Sequence, residues 1–255
     1  MHPRTRSLIL GGLGVAAALG LFAFAQGQFR VTRARNQAET QLKKGLAFLA
    51  AETIDPYRES LILAKNGCPF VIDAYRQARR ADRLLWAAQA CMDQGIQTPE
   101  TLIGLANGHE LAGRASEAFQ ILAAVAPKFE KTAAVYLEMA HLTLRASKDA
   151  DATALYQSAL KQEPENANLK LEAMQHFVAR QKWADAKPLA DTIVALNSDN
   201  AELQLLLARV YARASEPAQA KARLAQAQAL LGRQPAEVKA ALEKSYADVF
   251  GLERR

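Results

Sequence analysis

Apolar positions along this chain follow the three-to-four-residue spacing of helices, and runs of strand formers with period two do not occur. A second, longer period lies over the first. Ala118, Ala152, Ala186 and Ala220 recur at one constant interval, and Ala106, Ala140, Met174 and Ala208 form a parallel series with the same interval. Large apolar residues flank these positions: Leu105, Met139 and Leu207 precede the second series, and Leu122, Tyr156 and Leu224 follow the first by four. Two helices of an antiparallel hairpin approach closely only where one offers a small side chain to a large one on the other. The pattern therefore predicts two helices in each period over 99–232, stacked as a solenoid.

At these residues the chain resembles the tetratricopeptide repeat (TPR) family, whose period is about 34 residues. The copy at 133–166 carries Tyr136, Met139-Ala140, Ala152, Tyr156, Ala159-Leu160 and Pro164, and the copy at 201–234 carries Leu207-Ala208, Tyr211, Ala220, Leu224 and Ala227. The copy at 167–200 departs at Met174 and Ala190 but keeps Phe177, Trp183 and Ala186. The copy at 99–132 keeps Gly113 and Ala118 and ends irregularly. The resemblance covers about half of the chain and implies an all-α solenoid of four to five hairpins.

Outside the repeats the pattern is looser. Phe29, Val31, Ala38, Leu42, Leu46, Leu49 and Ala50 predict one helix over 29–51. Asp55-Pro56 reads as a cap and restart, and Asn66-Gly67 followed by Cys68-Pro69 as a further helix boundary. In one straight helix Cys68 and Cys91 would stand roughly 34 Å apart, beyond a disulfide. Stepping the repeat phase back from 99 instead gives a degenerate hairpin turning near Arg79–Asp82, which brings the two cysteines side by side. A disulfide and a pair of buried thiols both remain open. Beyond Gly232 a final helix should cap the stack with Val238, Leu242, Tyr246 and Val249 inward and Lys239, Glu243 and Lys244 outward. The tail Glu253-Arg254-Arg255 should fray.

The charge of +6 is misleading as a guide to partners. Residues 1–35 carry Arg4, Arg6, Arg30, Arg33 and Arg35 and no acid, so the remainder holds 27 Lys and Arg against 26 Asp and Glu. A nearly neutral body argues against nucleic acid as a partner. The arginines flank the uncharged stretch Ser7–Ala25. Its length suits a bilayer span, which takes about 20 apolar residues. Ala23-Phe24-Ala25 also fits a signal-peptidase site, so a retained anchor and a cleaved signal peptide compete. The length of the apolar run and the three arginines after it favour retention. The flanking basic residues leave the orientation finely divided, and the short arginine-bearing tail favours an inside N-terminus with the folded part outside. The expected division is thus an anchor or signal peptide at 1–28, a helical region at 29–98, repeats at 99–232 and a capping helix with tail at 233–255.

Catalytic constellations are lacking in the sequence. His109-Glu110 has no second histidine at zinc-protease spacing, the cysteines do not form a CxxC pair, and Gly11-Gly12-Leu13-Gly14 lies inside the uncharged segment rather than in a phosphate loop. No enzyme, cofactor or metal is expected. That glycine cluster permits close helix contact in a bilayer, but small residues are common in spans and it reads better as part of a lone span.

The resemblance implies a concave surface lined by the first helix of each hairpin. Carried over residue by residue, it would comprise Glu100, Ile103, Asn107 and Glu110; Leu137, His141 and Arg145; Asn168, Leu171 and Gln175; and Glu202, Leu205, Arg209 and Arg213. Such a surface would hold a protein or peptide segment over an apolar stripe, with acids at one end and arginines at the other. TPR domains that grip a carboxylate tail carry Lys or Arg where this chain has Ile103, Leu137, Leu171 and Leu205, which argues against that class of partner. His141 is placed to sense pH or meet an acidic partner, and His176 to pack. The expected protein is a membrane-anchored, non-catalytic TPR scaffold at a bacterial inner membrane, with a periplasmic domain. Its layout is similar to TPR proteins of cytochrome c maturation, secretion or envelope assembly. The alternative is a cleaved, soluble periplasmic structural subunit of an envelope machine.

Overall fold

The computed structural model describes residues 25–129, 132–146, 148–194 and 199–251. The uncharged segment 7–25, apart from Ala25, and the tail at 253–255 lie outside them. Among the described residues no helix is long and apolar enough to cross a membrane.

The described chain is helical and divides into two units, at residues 1–128 and 129–255. Unit 1 holds α1 (25–43), α2 (Ala47–Ile54), a 3-10 turn, α3 (Arg58–Leu63), α4 (Gly67–Gln77), α5 (Ala81–Asp93), α6 (Pro99–Leu111) and α7 (Ala115–Val125). Unit 2 holds α8 (Ala133–Arg145), α9 (Asp149–Gln162), α10 (Ala167–Ala179), α11 (Trp183–Ile193), α12 (Ala201–Arg213), α13 (Pro217–Leu231), α14 (Ala236–Ser245) and α15 (Ala247–Phe250).

First helices end at 43, 77, 111, 145, 179 and 213, and second helices begin at 47, 81, 115, 149, 183 and 217. Each unit therefore contains three hairpins, and the repeat phase begins with α1 rather than at 99. The expected four to five hairpins become six among the described residues. The connection inside each hairpin is the same closing turn. A backbone N–H donates to the carbonyl five residues back, in Leu46 to Gln41, Arg80 to Tyr75, Arg114 to His109, Lys148 to Thr143, Lys182 to Phe177 and Glu216 to Tyr211. This is the closing bond of a Schellman motif, which places one residue in the left-handed region. Gly45, Arg79, Gly113, Gln181 and Ser215 occupy it, with φ between 54° and 80°.

Only two of these turn residues are glycine, so the sequence signal for the turn is intermittent. The left-handed region costs a non-glycine L-residue roughly 1–2 kcal/mol. Ser215→Gly is accordingly expected to stabilise the protein by about 0.5–1 kcal/mol, after the larger chain entropy of glycine is subtracted. Urea denaturation comparing the two midpoints checks this, and an unchanged or lower midpoint would speak against the turn assignment.

First-helix starts show the same phase. Thr98, Asn166 and Asn200 accept through their side chains from the N–H of Thr101, Leu169 and Leu203, which satisfies a donor that the helix itself cannot. The small residues sit where the packing argument requires them. Ala106, Ala118, Ala140, Ala152, Ala186, Ala208 and Ala220 are fully buried. Met174 is also fully buried, its unbranched thioether filling the place of the small residue.

The second hairpin inverts the rule. Ile72 and Leu84 stand at its two small positions and both are buried. The next first helix compensates with glycine. A Cβ on Gly104 would lie 2.6 Å from Ile72 Cγ2, and one on Gly108 would lie 2.8 Å from Leu85 Cγ. Bulk has moved from one face of the contact to the other.

Three local expectations change. The helix expected over 29–51 breaks at Gly45, so Ala38 and Ala50 are buried while Phe29, Leu46 and Leu49 are exposed. Asp55 makes no cap through its side chain; its carboxylate accepts from the Tyr75 hydroxyl at 2.8 Å and meets Arg83 at 2.8 Å. Tyr211 and Asp191 repeat that bond at 3.0 Å, in the same register of a later hairpin. In the last helices Val249 is buried and Leu242 and Tyr246 are half-buried, but Val238 is 43% exposed because α14 buries no residue of its own.

Candidate partner-binding groove

The first helices of unit 2 place equivalent residues side by side: Leu137, Leu171 and Leu205; His141, Gln175 and Arg209; Arg145, Ala179 and Arg213. Between α10 and α12 lies an open cleft of about 500 Å³. Its apolar part is Leu171, Val178, Leu203 and Leu206, and its polar rim is Asn168, Gln175, Asn200 and Glu202. Tyr246 and Arg209 also line it. Asn168, Gln175 and Glu202 are exposed, and Leu171 is half-buried against the core. Uncharged amides beside a shallow apolar floor can hydrogen-bond a peptide backbone while its side chains cover the leucines.

The remaining candidates differ from the expected picture. Leu205 is fully buried, packed with Ala201, Ala208, Leu224 and Val249, so it does not line an open surface. The apolar stripe is thus interrupted where α15 lays Val249 against the last hairpin. The arginine end is not a free positive charge. Arg209 Nε lies 3.0 Å and Arg213 Nη2 3.8 Å from the Asp248 carboxylate, and Arg213 also stands 5.9 Å from the centre of the Trp183 ring. The charge gradient read from the sequence is therefore partly offset within the chain at this end, one carboxylate facing two guanidiniums.

His141, Arg145 and Leu137 belong to a different arrangement. His141 Nε2 is hydrogen-bonded to Glu172 on α10, and its Nδ1 lies 3.7 Å from Glu138. Arg145 reaches the other Glu138 oxygen at 3.1 Å, and the Tyr156 hydroxyl donates to Glu172 at 2.9 Å. His176 is buried, stacked on Tyr156 with ring centroids 4.7 Å apart, and its Nε2 lies 3.0 Å from Thr153 Oγ1. This network clamps α8 to α10. Leu137 packs half-buried beside it.

The clamp fixes the charge of His141. The Glu138 and Glu172 carboxylates raise its pKa to about 9, so it is a cation at neutral pH rather than a sensor there. Burial works to raise the Glu138 carboxyl, but His141 and Arg145 outweigh it and hold it low. Glu172 is held low first by its hydrogen bond to His141. Because the folded pKa of the histidine lies above its ordinary 6.5, its contribution to stability is complete below pH 6.5 and is lost as the pH rises through 9. The two glutamates contribute above their ordinary value of 4.5 and lose that contribution as the pH falls through their lowered values. His141→Gln is expected to lose stability at pH 6 and to approach the parent protein at pH 10. Urea midpoints at the two pH values test this, and an equal loss at both would remove the charge from the explanation.

In unit 1 the candidates lie on α6. Glu100 is exposed, whereas Ile103, Asn107 and Glu110 are half-buried, and Asn107 Nδ2 donates to the Ile103 carbonyl at 3.0 Å. That bond occupies one of the amide's two donor hydrogens. Cys68 at the start of α4 and Cys91 near the end of α5 are joined in a disulfide with Cα atoms 5.9 Å apart. Among the described residues no cluster of three or more His, Cys, Asp or Glu is placed to hold a metal.

Sequence reasoning missed the amide Asn200 and the closing aromatic Tyr246. Asn166 and Asn200 occupy the same place in successive repeats, so the cap series carried a legible signal for the amide. Tyr246 approaches the cleft only through the turn between α14 and α15, which no repeat pattern announces.

No family model and no curated protein matches this chain. Among solved structures it is similar to PilF of Pseudomonas aeruginosa, with TM-score 0.57, 13% identity and coverage of 86% of this chain and 98% of that one. MamA matches with TM-score 0.50 and 13% identity over 64% of this chain and 95% of its own. A chain of the Naa15/Naa10 complex bound to HypK matches with TM-score 0.56 and 16% identity, over 73% of this chain and 30% of that one. At these identities the likeness is one of fold.

Proposed function

We propose that this chain, whose fold is that of the tetratricopeptide-repeat proteins, is a non-catalytic, membrane-anchored scaffold that binds a partner protein through the α10–α12 cleft. The cleft carries the reading: exposed amides Asn168 and Gln175 flank half-buried Leu171 in a surface open to solvent. The uncharged run at 7–25 with its flanking arginines supports an anchor. The Cys68–Cys91 disulfide supports an oxidising compartment for the folded part, which agrees with a periplasmic side in a bacterium. Assembly or secretion at the envelope is the corresponding process.

Photoreactive side chains placed at Asn168 and Gln175 in cells are expected to cross-link one partner. The same group at exposed Lys161 on the second helix α9 should not. Gln175→Arg should weaken the cross-link from position 168 at least several-fold. Equal labelling from all three positions would overturn the groove. Intact mass of the same protein separates the anchored chain, which retains residues 1–25, from the cleaved form that begins at Gln26.

A further inference from the structure

Among the described residues Phe29 and Leu63 are the most exposed of the large apolar ones, at 69% and 73%. They stand one full period apart and so occupy one position of the repeat. The later repeats fill that position with Gln97, Lys131, Glu165, Asp199 and Arg233. An apolar residue there is thus confined to the first two hairpins, both in unit 1. The two sites lie at the same end of their hairpins, because Arg35 on α1 donates to the Lys65 carbonyl at 3.2 Å. Arg30, Arg33 and Lys65 are exposed around them. The nearest acid on that side of α3, Glu59, is one turn back from Leu63. Arg35 is already committed to Glu39 at 3.0 Å.

Position along the chain identifies what covers this end. The uncharged run closes at Ala25, and the helix is continuous from there, so Phe29 stands roughly 6 Å along the axis from the end of the run. A bilayer that takes up residues 7–25 therefore brings Phe29 to its boundary. Apolar side chains ringed by Arg and Lys seat about 5–10 Å into the boundary between headgroups and acyl chains, with the cations on lipid phosphates.

We infer that the end of unit 1 bearing Phe29 and Leu63 is a foot that rests in the membrane interface, with Arg30, Arg33 and Lys65 on anionic headgroups. The inference rests on the membrane-anchored reading above. The foot gives the protein a second attachment beside its anchor and limits how far the hairpins swing on the lipid surface.

The test uses the full chain in nanodiscs of phosphatidylcholine and phosphatidylglycerol, with a photoreactive side chain at position 63 and, separately, at position 48. Phe48 is also exposed, at 61%, but lies at the other end of the first hairpin. Lipid adducts, read by mass, are expected at 63 and not at 48. Combined Arg30→Glu, Arg33→Glu and Lys65→Glu substitutions should cut the adduct at 63 at least fivefold while the chain stays in the discs. A chain recovered outside the discs overturns the anchored reading and the foot together. A chain inside the discs with no lipid adduct at 63, with equal adducts at 63 and 48, or with covalent dimers in place of lipid adducts overturns the foot alone.

Discussion

Gly67→Ala is expected to cost the protein roughly 3 kcal/mol, the upper end of the overpacking range. An added Cβ would lie 1.6 Å from the Leu61 carbonyl oxygen and 2.7 Å from its carbon. Those are backbone atoms, so no side chain can rotate away. The α3–α4 connection must open instead. It is a tight turn: Asn66 is left-handed at φ 58°, and the Gly67 N–H donates to the Ala64 carbonyl at 2.9 Å. The other repeats carry Arg33, Thr101, Val135, Leu169 and Leu203 at this position, so the requirement for glycine belongs to the second hairpin alone. Urea unfolding followed by circular dichroism measures the loss. A variant as stable as the parent would mean that the turn is not packed as described.

Removing the neighbouring disulfide has the second large effect. Cys68 and Cys91 are 1% and 0% exposed and close a loop with a sequence separation of 23. The chain-entropy model gives about 3 kcal/mol for such a loop. Cys68→Ala with Cys91→Ala is expected to lose that amount, and the parent protein in reductant should lose stability in the same direction. Because Gly67 adjoins Cys68, opening the α3–α4 turn also displaces one sulfur. The two changes are therefore expected to be non-additive, the Gly67→Ala loss being smaller in the cysteine-free background. Full additivity would separate the turn from the disulfide.

The hairpins of unit 2 were legible because small residues recur in register from Ala140 to Ala220, with Met174 the one larger residue in the series. Of the first two hairpins, the second was legible only as a degenerate one stepped back from 99, and the first was not legible, for physical reasons that can be named. The repeat is recorded in two features, small contacts and left-handed turns. In the second hairpin the small contacts are replaced by Ile72 and Leu84, and the turn residue is Arg79 rather than glycine. In the first hairpin the contacts are kept, at Ala38 and Ala50, but the second helix is broken by a 3-10 turn around Pro56.

The candidate site divides in the same way. The register of Asn168, Leu171 and Gln175 followed from the repeat. The burial of Leu205 and the pairing of Arg209 with Asp248 depend on α15, a single short turn of helix whose packing no periodicity encodes. His141 was placed correctly on a first helix, but its charge is decided by Glu138 on that helix together with Glu172 on the next one.

The exchange of bulk between Ile72 and Gly104 bears on how this chain can be rebuilt. Deleting one full period, from 65 to 98, would leave every turn in phase, yet it would set Gly104 against Ala38, two small surfaces with a void between them. Inserting an ordinary repeat after the second hairpin would press Ile72 against a side chain that has nowhere to go. The second and third hairpins form one unit of inheritance, and chimaeras of this protein should cut on either side of α4–α7 rather than within it.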